Sequence, residues 1–135
     1  MSSQVKNKQI GKIQFEDVID RIMTHVLARK WDEFADSRGL AISLSLEANE
    51  LLEYYQWSDK NFGSKEDLAS EVADIFIYLA QFAHSNDIDI LQAVLKKLEK
   101  SAKKYPVEIF EIEDVDERNK AWLEAKQKYQ KDTTL

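Results

Sequence analysis

Two acidic pairs stand out in this sequence. In SLEANELLEYYQW (45–57), Glu47 and Glu50 lie three residues apart, and in EVADIFIYLAQFA (71–83), Glu71 and Asp74 repeat that spacing. Residues three apart share one face of a helix, so each pair sets two carboxylates side by side. Four hard oxygen donors of this kind suit Mg²⁺ or Mn²⁺, which keep several waters and bind best when substrate phosphates complete the shell. Without a cation the arrangement is costly, because like charges at a half-apolar surface repel and raise one another's pKa. The residues around Glu71 and Asp74 are Val72, Ala73, Ile75, Phe76, Ile77 and Tyr78, so both acids must border buried surface.

The elements that carry these acids follow from apolar periodicity. Phe15, Val18, Ile19, Ile22, Met23, Val26 and Leu27 recur at three and four, predicting a first helix to about Lys30. WDEFADSRG reads as a connector with Gly39 as punctuation, and a second helix is expected from about Leu40 to Trp57. Ser64 resembles an N-cap, and the third helix should run from there to about Ser85, where Asn86 and Asp87 break it. Ile88, Leu91, Val94, Leu95 and Leu98 mark a fourth helix, ending in Lys100, Lys103 and Lys104 before Tyr105-Pro106. A weaker stripe of Val115, Trp122, Ala125 and Tyr129 predicts a last helix. No strand or internal repeat is legible, and the expected fold is all-α, an antiparallel helix bundle.

The short link between the second and third helices favours an antiparallel pair. Glu50 lies seven positions before Trp57 and Glu71 seven after Ser64. At about 1.5 Å per residue both sit roughly 10 Å from the turn. The expected arrangement is therefore two layers, Glu50 with Glu71 and Glu47 with Asp74.

Composition narrows the classes. The chain has 135 residues, one domain's worth of core, with only three Gly and one Pro, which favours long helices. With no cysteine, disulfides, thiolate zinc sites and Cys nucleophiles are excluded. A net charge of −6 argues against a nucleic-acid polymer as partner, though not against a nucleotide escorted by a metal. The longest apolar run, within 72–83, is interrupted by Asp74 and too short to span a membrane. A cytoplasmic location is expected. Residues 1–13 read as a loose basic tail, 14–107 as the helical domain and 108–135 as a C-terminal extension. Carboxylate-bridged di-iron chemistry wants Glu-x-x-His, but Ile22 precedes His25 and Gln81 precedes His84 at that spacing, so both read as ordinary helix residues.

With the acids in place the chain resembles the MazG-like nucleoside triphosphate pyrophosphohydrolases, whose hallmark is E-x-x-E, a spacer and E-x-x-D. Here Glu47-Ala48-Asn49-Glu50 is followed after twenty residues by Glu71-Val72-Ala73-Asp74. R-K-W-D-E-F, L-x-L-E-x-x-E-L-L-E-x-x-Q-W, D-I-x-I-Y-L and K-K-Y-P extend the likeness, toward the dCTP pyrophosphatase-type branch, over about residues 15–107.

The resemblance implies hydrolysis of (deoxy)nucleoside triphosphates to monophosphate and pyrophosphate, a nucleotide-pool house-cleaning role. It implies Mg²⁺ held by Glu47, Glu50, Glu71 and Asp74, with Mn²⁺ as a substitute and Glu50 favoured to activate water. Trp31 and Trp57 would flank the base, Tyr78 would touch the sugar, and Lys97 and Lys104 would meet phosphate oxygens. It also implies subunits that complete one another's bundle, expected here as a homotetramer. Ser101 departs from the Asn that relatives often carry before K-Y-P. The competing readings are relatives acting on dUTP or phosphoribosyl-ATP and, from another class, a non-catalytic helical interaction module with a structural metal or docking face.

Overall fold

A computed structural model describes residues 13–131, and all the regular elements among them are helical. The expected tail at 1–13 falls almost wholly outside the described residues. The helices are α1 (Phe15–Ala28), α2 (Ser37–Glu53), α3 (Lys65–Ser85), α4 (Ile90–Lys104), α5 (Val107–Phe110) and α6 (Val115–Lys131). They form two compact units, one ending at Ile88 and the other beginning at Asp89.

In the first unit α2 and α3 make the most extensive pairing, and α1 packs on α3. The pair is antiparallel, as the short link requires. At its far end the Ser37 hydroxyl donates to Asn86 Oδ1 across 3.1 Å, joining the start of α2 to the residue that caps α3. Asn86 in turn donates its amide to the Phe82 carbonyl at 2.8 Å, so one side chain closes α3 and fastens α2. Phe15 of α1 meets Phe76 of α3 edge to face, with ring centroids 5.3 Å apart. Among the described residues Met23, Val26, Leu40, Ala80 and Ala83 are the buried apolar ones.

The second helix departs from the sequence expectation at both ends. It begins at Ser37 rather than Leu40, because Asp36 accepts from the Gly39 amide at 2.6 Å and caps a turn that already contains Gly39. It ends at Glu53 rather than Trp57. The Tyr54 carbonyl is taken by the Phe62 amide at 3.2 Å, and the intervening residues fold back as a loop. Gly63 lets that loop close on the Tyr54 ring, for a Cβ there would come within 2.5 Å of it. Ser64 caps α3 as expected, its hydroxyl accepting from the Asp67 amide at 3.0 Å while Asp67 accepts from the Ser64 amide at 2.8 Å.

Between α1 and α2, Lys30 adopts a left-handed φ of 55° and turns the chain into a single 3₁₀ turn at Trp31–Glu33. That reversal returns the Trp31 indole to α1, where the His25 ring meets it edge-on at 5.5 Å.

In the second unit Tyr105 stacks on Trp122 at 6.1 Å, holding the end of α4 against α6, and Lys104 Nζ lies 5.1 Å from the Tyr105 ring. The short helix α5 follows Pro106 and was not expected from periodicity; four residues are too few to show a period.

Candidate functional site

Antiparallel pairing of α2 and α3 brings the acids together. Oxygens of Glu47, Glu71 and Asp74 lie within 4.8 Å of one another, and all three side chains are half-buried. Glu50 stands outside this group, exposed, with its carboxyl in hydrogen-bonding contact with Glu71. Both expected layers are thus present.

The electrostatics have the sign expected of acids that would bind a cation. Burial, then the charges of Glu50, Asp74 and Glu71, hold the Glu47 carboxyl above its usual 4.5. Burial, then Glu50 and Asp74, do the same for Glu71, against a smaller opposing effect from the Tyr54 hydroxyl. Tyr54 donates to Glu71, and burial together with Asp67 and Glu71 raises its own pKa above 10.0. Tyr54 was not singled out in the sequence, although it lies four residues after Glu50 and seven after Glu47, on the stripe that carries both acids.

A carboxyl whose pKa is raised on folding contributes stability below its unfolded value and loses it as pH rises through the folded value. Chelator-treated protein is therefore expected to gain thermal stability on acidification from pH 7 toward about 5, and Mg²⁺ at pH 7 to supply a similar gain. Melting curves across that range check both; a flat profile without metal would mean that the acids do not repel. An all-oxygen set with strained like charges, and no His or Cys among its members, fits a hard divalent ion.

Beside Asp74 opens a cavity of about 790 Å³ within the first unit, between α1, α2, α3 and the Trp31 turn. Trp31, Tyr78 and Asp74 line it, with Arg21, His25 and Gln81. Apolar walls and a few polar groups are the usual make-up of a small-molecule site. Trp31 and Tyr78 therefore occupy positions consistent with contact to a bound molecule. Trp57 does not line this cavity: it lies past the end of α2 and is 84% exposed. Lys97 and Lys104 belong to the second unit, where they line a smaller cavity of about 220 Å³ with Lys100, Ser101 and Tyr105. His25 and Gln81 were not marked as site residues, since a helical His or Gln in one sequence has no motif to distinguish it.

Comparison with known proteins gives a consistent picture. A family model described as the MazG-like family matches residues 42–127. The chain is 34% identical over 89 residues to dCTP pyrophosphatase 1 of Mus musculus, covering 60% of this chain and 52% of that protein. The Bos taurus protein of the same name is 35% identical over 89 residues, with 60% and 53% covered. The chain thus spans about half the length of the curated relatives it matches. A crystal structure of a pyrophosphatase from Archaeoglobus fulgidus superimposes with a TM-score of 0.60 at 29% identity, covering 71% of this chain and 95% of that one.

Proposed function

The chain belongs to the MazG-like family, and on that premise we propose that it is a nucleoside triphosphate pyrophosphohydrolase that prefers deoxynucleotides and cleans the nucleotide pool. The observation that carries this reading is the convergence of Glu47 and Glu71 on Asp74, which itself lines a cavity walled by Trp31 and Tyr78. A triphosphate bears its charge at one end and an aromatic base at the other, and the site offers each end its match.

Glu47, Glu71 and Asp74, with Glu50 beside them, would hold Mg²⁺ or Mn²⁺. The ion, when bound, would neutralise the triphosphate and polarise the α-phosphoryl group. Glu50, the most exposed of the four, would orient a water and take its proton as the oxygen attacks the α-phosphorus. The bond from that phosphorus to the oxygen bridging the α and β phosphates breaks, and pyrophosphate leaves with the bridging oxygen. Tyr54, by donating to Glu71, would keep that carboxylate oriented. Trp31 would stack on the base and Tyr78 lie under the sugar, where a ring packed on C2′ disfavours a hydroxyl. The functional unit is proposed as 14–107, with 108–135 as an extension.

The working protein is proposed to be a cytoplasmic homotetramer. No helix among the described residues is long and apolar enough to cross a membrane. The relatives named dCTP pyrophosphatase 1 make dCTP the first substrate to try. Pyrophosphate release should be measured across the four dNTPs, four NTPs and several modified bases with Mg²⁺. Turnover of dNTPs at least about tenfold above the matching NTPs is expected. Silence across the panel in folded, oligomeric protein would move the reading to a helical interaction module, which the exposed apolar faces of α2 and α4 would suit.

A further inference from the structure

Gln81 is the one buried polar residue among those described, at 6% exposure, and it lines the cavity. Its Nε2 donates a long 3.5 Å bond to the Ile77 carbonyl one turn back. Its carboxamide oxygen accepts no bond from the described protein, and among the described residues no sealed-off polar side-chain atom lacks a partner, so that oxygen is open to the cavity. Arg21 and His25 of α1, which also line the cavity, are exposed and keep their water, and Ser43 of α2 is half-buried there. A ligand donor that takes the place of water on this cavity-facing oxygen would bond to it within a largely apolar wall.

Register along α3 says where such a donor would sit. Asp74, Tyr78 and Gln81 fall at i, i+4 and i+7, one stripe of the helix, and all three line the cavity. Tyr78 lies about 6 Å and Gln81 about 10 Å along the axis from Asp74. A nucleotide with its phosphates at the acids and its sugar over Tyr78 would bring the far edge of its base to Gln81, with Trp31 as the stacking face.

We propose that Gln81 is a specificity-determining residue whose carboxamide oxygen accepts from the exocyclic amine of an amino-bearing base, cytosine or adenine, and so selects against the keto bases uracil and thymine. A keto oxygen at that place would face the Gln81 oxygen, two acceptors with no proton between them. The inference rests on the nucleotide reading above and adds which edge of the base is read and by which atom.

The test compares dCTP with dUTP in wild type and in Gln81→Met, which keeps the length of the side chain and removes its acceptor. Turnover is measured with Mg²⁺, and binding of the α,β-methylene analogues of both nucleotides by calorimetry. Wild type is expected to favour the cytosine nucleotide at least about tenfold in both readouts, and Gln81→Met to bring the ratio within about twofold of unity. A ratio between two substrates of one preparation is unmoved by partial unfolding, so a merely structural Gln81 would leave it intact. Equal affinities in wild type, an unchanged ratio in the variant, or failure to bind either analogue would overturn the proposal. Selective binding without turnover would count against the pyrophosphohydrolase reading alone.

Discussion

Glu71→Gln is expected to abolish pyrophosphate release, by at least about a thousandfold, in a protein that melts no lower than wild type when metal is absent. The amide keeps the shape of the carboxylate and can still accept from Tyr54, but it removes one negative charge from a group whose oxygens lie within 4.8 Å. The loss corresponds to about 4 kcal/mol of transition-state stabilisation, within what charge placement at a phosphoryl centre supplies. Stability should move the other way, because burial and the repulsion from Glu50 and Asp74 already raise the Glu71 pKa. Glu50→Gln separates the two roles assigned to the acids. Turnover should fall similarly, while Mg²⁺ still raises the melting temperature, because Glu50 lies outside the convergent three. Wild-type turnover in Glu71→Gln would exclude the acids from the chemistry, and an equal loss of the Mg²⁺ shift in both variants would make Glu50 as necessary to the metal as Glu71.

Sedimentation of the wild type at micromolar concentration is expected to give a homotetramer, and Ile42→Glu a smaller species. Ile42 and Leu46 lie one turn apart on α2 and are 49% and 56% exposed, and Val72 on α3 is 55% exposed. The large side chains buried almost completely among the described residues are only Val26 and Leu40, each 2% exposed. Helices with so much apolar surface open need a partner, and burying the open half of each such side chain is worth roughly 1 kcal/mol. A glutamate at 42 forfeits that gain and sets a charge in the contact, once on each side of a symmetric interface. The dissociation constant should rise at least about a hundredfold. A wild type that sediments as a monomer would defeat the assembly, and a tetrameric Ile42→Glu would put the contact on another face.

The acidic pairs, the all-α class and the antiparallel partnership of the second and third helices were legible in the sequence because each rests on local periodicity or a short link. Spacing of three puts Glu47 beside Glu50 in any helix, and equal counts from one turn put Glu50 opposite Glu71. The Ser64 cap was legible for the same reason: its bonds reach no further than Asp67. The ends of α2 were less so. Asp36 capping a turn through Gly39 looks like a connector until the bond is seen, and Tyr54 leaves the helix because Phe62 returns to its carbonyl. That end carries Trp57 away from the cavity, whereas the left-handed turn at Lys30 carries Trp31 into it. Two tryptophans that read alike in sequence are separated by the backbone turns beside them, at Lys30 and after Tyr54.

What the sequence determined by itself was the chemistry available, four carboxylates on two helices and aromatics near them, since residue type and helical spacing need no tertiary partner. Which groups meet was decided only by the packed structure. Tyr54 on Glu71, His25 on Trp31 and the open oxygen of Gln81 all depend on how helices cross and where chains reverse, and those are set by the burial of apolar side chains from distant segments at once.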